Sequence, residues 1–221
     1  YEMTSSLVGS EMCIRDRPAG PVPLDRLAEF IVRSQHRERS KSMKKNVLIV
    51  STSPRKGSNS DALAEEFARG ARDAGHQVEK LSLIGKDLRF CQGCLSCVRT
   101  GRCPIPDDAG EIVKRIHDAD TLVFATPIYY YEMCGQMKTL LDRCNPLYGS
   151  DYAFRDVYLL SAAAEDAKGT DRRAVSGLEG WIACFEKARL AGAVFAGGVT
   201  AVGEIQGHPA LGQAYELGRG V

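Results

Sequence analysis

The chain has 221 residues, enough for one well-buried domain and few for two. Basic and acidic residues nearly cancel, 29 Lys+Arg against 28 Asp+Glu, which gives no electrostatic reason for nucleic acid or an anionic membrane surface as a partner. No apolar run approaches the roughly 18 to 20 residues of a membrane span.

Residues 1–42 do not share the pattern of the rest. Thr4 to Arg17 has neither helical nor strand periodicity, and its Ser-Leu-Val-Gly-Ser-Glu-Met-Cys-Ile-Arg-Asp-Arg run resembles translated adapter read-through. Leu7, Val8 and Ile14 are too scattered for a signal-peptide core. Residues 1–42 are therefore expected to be a non-native or disordered extension, and 43–221 the domain.

From Met43 on, short β-rich runs alternate with helical patterns, the signature of a parallel α/β sheet. Val47 to Val50 is apolar at every position, as in a strand buried on both faces. A helix follows from Ser60 to Ala74, with Leu63, Phe67 and Ala71 on one face and Gly75 ending it. Val78 to Leu83 reads as an edge strand. Asp107 and Asp108 can cap a helix carrying Ile112, Val113 and Ile116. Thr121 to Thr126 is the third strand, and Gly135 to Arg143 a helix. Val157 to Ser161, a helix over Gly177 to Lys187, Ala193 to Ala196 and a helix from Pro209 to Leu217 complete the pattern. Five strands and five helices in alternation predict a doubly wound five-stranded parallel α/β sheet, helices on both faces.

Ser51 to Ser60 joins the first strand to the first helix, where an open α/β sheet places its ligands. Ser53, Ser58, Asn59 and Ser60 offer short side-chain donors, the helix start adds unsatisfied N–H groups, and Arg55 supplies a charge. The loop has neither Gly-x-Gly-x-x-Gly nor Gly-Lys-Ser/Thr, so dinucleotide and nucleoside triphosphate fingerprints are absent. A mononucleotide phosphate, that of FMN, matches best. Pro127, Ile128, Tyr129 and Tyr130 follow the third strand at the same sheet edge and can wall a planar ring. Ser161 and Ala162 open a third loop whose small residues let a ring approach the backbone.

Cys91, Cys94, Cys97 and Cys103 lie within thirteen residues. Such compact spacing suits a 4Fe-4S cluster, with Gly93 and Gly101 permitting tight turns. Structural zinc favours two separated pairs, and unligated redox thiols are a third reading. Seven cysteines after residue 42, an odd and clustered set, suit a reducing cytoplasm better than a disulfide framework. Cys134, Cys144 and Cys184 read as small core residues. No histidine pairs with a serine or cysteine motif, so hydrolase chemistry has no support.

The segment Ser53-Pro-Arg-Lys-Gly-Ser-Asn-Ser60 resembles the FMN phosphate loop of the NADPH-dependent FMN reductase and iron-sulfur flavoprotein group of the flavodoxin-like superfamily, over Met43 to Val221. Thr126 to Lys138 resembles that group's Pro-x-Tyr segment beside the flavin ring, with Tyr131 where members often carry glycine. The resemblance implies an FMN-dependent oxidoreductase. Electrons would come from NAD(P)H or a ferredoxin-like donor and pass to a small-molecule or protein acceptor, in a homodimer or higher homo-oligomer. One alternative is a cluster-free NAD(P)H-dependent FMN or quinone reductase; another is a flavodoxin-like binding module without catalysis.

Overall fold

The computed structural model describes residues 44–221. The expected extension over 1–42, and Met43, lie outside them. The sheet has the parallel order β2 (Gln77–Ser82), β1 (Asn46–Ser51), β3 (Thr121–Tyr129), β5 (Asp156–Ala162), β6 (Arg189–Ala196). A two-residue strand, β4 (Glu132–Met133), pairs antiparallel with β3. The order doubles back between β1 and β3, the switch point at which a doubly wound sheet opens a crevice.

Period-two alternation splits the core into two layers. Leu48, Val50, Leu122, Phe124, Val157 and Leu159 face α3 (Ala109–Asp118), α4 (Gly135–Arg143) and α5 (Arg172–Ile182). Val47, Ile49, Val123, Ala125, Tyr158 and Leu160 face α1 (Asn59–Asp73) and α6 (Pro209–Arg219). The strands with no solvent face are the ones whose sequences are apolar at successive positions. A five-residue helix, α2 (Ser96–Thr100), sits inside the cysteine loop.

Helix α1 shows how the sequence sets a boundary. Ser58 is its N-cap, with extended backbone and a hydroxyl that accepts the Asp61 N–H at 3.2 Å. Leu63, Ala64, Phe67, Ala68 and Ala71 bury one stripe. Gly75, at φ +93°, follows the last turn and stops it. Close packing of α1 on α6 needs two further glycines: a Cβ on Gly70 would strike the Tyr215 carbonyl oxygen, and one on Gly218 that of Phe67.

Two expectations change. The helix placed at Gly177 to Lys187 runs from Arg172 to Ile182, so Cys184 and Phe185 follow it and Cys184 is exposed rather than core. Gly177, where the helix was expected to begin, lies in its middle and packs against the Met133 and Glu132 side chains. The two-residue strand β4 is an addition the sequence did not announce. It pairs Tyr129 with Glu132 across a turn whose central residues, Tyr130 (φ 51°) and Tyr131 (φ 67°), are both left-handed. That is a type I′ hairpin geometry, which favours Asn and Gly. Its sequence signature is missing, so periodicity could not find it.

Candidate functional site

Strand register brings three loops to one place. Ser51 pairs with Ala125, Ala125 with Leu160, and Pro127 with Ala162, so the carboxyl ends of β1, β3 and β5 finish together. The cleft there is lined by Ser53, Arg55, Ser58, Asn59 and Ser60, by Pro127, Ile128 and Tyr129, and by Ala162 to Ala164 with Val199 and Thr200. A roomier cleft at the amino ends of β1 and β2, lined by Asn46, Gln77, Glu79 and Arg115, has neither a helix N-terminus nor an aromatic wall. The carboxyl-end cleft is the better candidate because ligands of open α/β sheets bind there.

The side chains of the β1–α1 loop divide by task. Ser53, Ser58 and Ser60 are buried. The Ser53 hydroxyl accepts the Arg55 N–H at 3.2 Å, and the Ser58 and Ser60 hydroxyls lie 3.2 Å apart. The N–H groups of Asn59 and Ser60, first in α1, have no carbonyl four residues back inside the helix and are available to an anion. Asn59 is engaged otherwise: its Nδ2 donates to the Ala201 carbonyl at 2.9 Å and its Oδ1 accepts the Ile205 N–H at 3.3 Å. Arg55 Nη1 donates to the Thr200 carbonyl at 2.8 Å. These two side chains strap the β1–α1 loop to the loop after β6. Glu204 closes that loop by accepting the N–H groups of Thr200 and Ala201, bonds that hold its carboxyl below the usual range.

Sequence reasoning missed Val199, Thr200, Ala201 and Glu204, which carry no motif and reach the site only through topology. Two expected residues stand apart from the cleft lining. Ser161 is wholly buried, its hydroxyl donating to Asp171 at 3.3 Å and to the Val194 carbonyl at 3.5 Å. Tyr130, at the hairpin tip, is 97% exposed. Beneath the site, Thr52 and Cys134 lock β1 to α4: Thr52 Oγ1 donates to the Ala125 carbonyl and lies 3.3 Å from Cys134 Sγ, while the Cys134 N–H donates to Thr126 Oγ1.

The cysteine loop is a second centre. Cys97 is buried on α2, Cys103 is half-buried, and Cys91 and Cys94 are exposed. The four sulfurs are not gathered round one point, and among the described residues no three His, Cys, Asp or Glu side chains come together to hold a metal ion. The reason is local: Cys97 lies on α2 and is buried, while Cys91 and Cys94 lie on the irregular segment before it, where Gly93 (φ 62°) and Leu95 (φ 54°) turn the chain. Two sulfurs have polar partners: Asn145 Nδ2 donates to Cys97 Sγ at 3.0 Å and Arg143 Nη2 to Cys103 Sγ at 3.4 Å.

The NADPH-dependent FMN reductase family matches residues 45–201. An iron-sulfur flavoprotein of Methanocaldococcus jannaschii is 38% identical over 101 residues, covering 46% of this chain and 52% of that protein. One from Methanosarcina thermophila is 25% identical over 134 residues, covering 60% of this chain and 70% of that protein. The chain spans about half the length of the first of these. Among solved structures, an NAD(P)H:quinone oxidoreductase from Methanothermobacter marburgensis superposes with a TM-score of 0.62 at 19% identity, covering 80% of this chain and 98% of that one; at that identity it speaks to the fold alone.

Proposed function

Since the chain belongs to the NADPH-dependent FMN reductase family, we propose that it is an FMN-dependent oxidoreductase whose cysteine loop holds an iron-sulfur cluster. The observation that carries the flavin reading is the convergence of a serine-lined helix N-terminus, the Pro127 to Tyr129 wall and the small residues Ala162 to Ala164 in one cleft.

Bound FMN supplies hydride and single-electron chemistry. The protein's part is to bind and orient. Ser53, Ser58 and Ser60 with the first N–H groups of α1 take the phosphate dianion, because an anion at a helix N-terminus gains both hydrogen bonds and the favourable end of the helix dipole. Arg55 adds positive charge at the rim while held by Thr200. Tyr129 and Pro127 bound one side of the ring space, and the methyl-sized side chains of Ala162 to Ala164 leave the backbone approachable on the other. No acid or base from the protein is required by this scheme.

The donor set at the second centre fits a 4Fe-4S cluster in chemistry: Cys91, Cys94, Cys97 and Cys103 are all free thiols on one loop, and compact Cys-x2-Cys-x2-Cys spacing is a known ligation pattern. The cluster would pass single electrons from a ferredoxin-like donor to the flavin. Exposed Phe90, Leu95 and Val98 on this loop support a homodimer contact there. Unpaired thiols suit a reducing cytoplasm, and among the described residues no helix is long and apolar enough to cross a membrane.

The separation of the four sulfurs favours a second reading, a cluster-free reductase taking hydride directly from NAD(P)H. Anaerobic mixing separates the two. FMN-loaded protein lacking iron that bleaches its flavin absorbance on adding NADPH or NADH supports the cluster-free route. Bleaching that needs iron, sulfide and a reduced ferredoxin supports the first.

A further inference from the structure

The segment after β6, residues 199–207, reaches the cleft from the edge of the sheet and is stitched to the β1–α1 loop at three points. Arg55 Nη1 donates to the Thr200 carbonyl at 2.8 Å. Asn59 gives its Nδ2 to the Ala201 carbonyl at 2.9 Å and accepts the Ile205 N–H at 3.3 Å. Between them Val202 lies over Gly57, where an added Cβ would sit 3.5 Å from Val202 Cγ1. Two further contacts fix the segment's own shape. The Val199 N–H donates to the Ala163 carbonyl at 2.9 Å, and Glu204 Oε2 accepts the N–H groups of Thr200 at 2.5 Å and Ala201 at 2.8 Å.

Anions are held by donors, and the donors around this cleft are unevenly spent. At the start of α1 the N–H groups of Asn59 and Ser60 remain for one phosphate. In the strap, by contrast, the N–H groups of Thr200 and Ala201 are taken by Glu204, that of Ile205 by Asn59, and the Asn59 amide by Ala201. Glu204 thus fills, with the protein's own carboxylate, the two N–H groups that a second phosphate would use, and it puts a like charge one bond away from Thr200 at the cleft wall. We propose that this strap, with Glu204 as its internal anion, selects a flavin ending in a single phosphate over a flavin dinucleotide. This rests on the flavin reading above. FMN ends in a phosphate monoester, which the start of α1 can take alone. A dinucleotide carries that group as half of a pyrophosphate and must place the second phosphate, and a nucleoside beyond it, against a rim whose donors are closed. Spent donors and a like charge discriminate by penalising the wrong ligand.

The test is calorimetric titration of wild type, Glu204→Ala and Asn59→Ala with FMN, FAD and riboflavin. Wild type is expected to bind FMN about ten-fold or more tightly than FAD. Glu204→Ala frees the Thr200 and Ala201 N–H groups and removes the charge, so it should narrow that preference by about ten-fold through tighter FAD binding, with riboflavin affinity unmoved. Asn59→Ala releases the strap from α1 and should narrow the preference in the same direction. Glu204 is exposed, so its replacement leaves both core layers intact and decides alone if Asn59→Ala does not fold. Wild type that binds FAD as tightly as FMN, or an FMN-to-FAD ratio unchanged in Glu204→Ala, overturns the inference while the flavin reading stands. Wild type that binds none of the three ligands overturns both.

Discussion

The guanidinium of Arg143 and the carboxylate of Asp107 meet with neither side chain reaching solvent, and the pair fastens the cysteine loop to the end of α4. Burial pushes the Asp107 carboxyl up, but bonds from Arg143 and from the Arg89 and Ala109 N–H groups outweigh it and hold it below the usual range. Removing one partner leaves a buried charge uncompensated. Arg143→Ala is expected to lose about 3 to 5 kcal/mol of stability, read as a shifted urea midpoint. A loss under about 1 kcal/mol, typical of an exposed pair, would contradict the buried geometry.

The hairpin tip stores strain. Tyr130 and Tyr131 both occupy the left-handed region, which costs a side-chain-bearing residue roughly 1 to 2 kcal/mol. Tyr131→Gly is expected to stabilise the protein by about 1 kcal/mol, raising Tm by a few degrees for a chain of this size. An unchanged or lowered Tm would mean that the Tyr131 ring contributes packing as large as the strain.

Helices α1 and α6 touch backbone to backbone through Gly70 and Gly218. A methyl group at either position has no flexible neighbour to displace, so the helices must part. Gly70→Ala and Gly218→Ala should each destabilise by about 1 to 3 kcal/mol despite the better helix propensity of alanine. Thermal unfolding of both variants checks this, and a stabilised variant would show that the helices are farther apart.

Glu204 links pH to the strap over the site. Its carboxyl is held low by the Thr200 and Ala201 N–H groups, so the folded state binds its proton less readily than the unfolded state does. The stability it contributes is therefore fully present above the ordinary glutamate pKa and is lost as pH falls through the lowered folded value. Glu204→Gln should flatten that part of the acid limb in a stability-against-pH series. Superimposable acid limbs would remove Glu204 from the account.

The strands and the doubly wound parallel sheet with helices on both faces were legible because buried parallel strands are apolar at successive positions and α1 carries its own cap and stop signals. The position of the Ser53 to Ser60 loop was legible for the same reason: it sits where strand meets helix. What escaped was set by topology or by local rule-breaking. Thr200, Ala201 and Glu204 reach the cleft from the far edge of the sheet, and Asn59 turned out to tie two loops together. The Tyr130–Tyr131 turn breaks the residue preference by which such turns are recognised. The cysteine spacing singled out four thiols, while their placement depended on α2 and on the contacts of Arg143 and Asn145.

The central claim, a phosphate-bearing flavin in the β1, β3 and β5 cleft, is tested most directly by flavin binding to the purified protein and its Ser60→Ala variant, followed by fluorescence quenching. A hydrogen bond to a charged group is worth about 1.5 to 3 kcal/mol, so loss of the Ser60 hydroxyl should weaken FMN binding by roughly ten-fold or more and leave riboflavin, which lacks the phosphate, unaffected. Wild-type protein that is colourless and fails to bind micromolar FMN, or a Ser60→Ala variant that weakens both ligands equally, would contradict it.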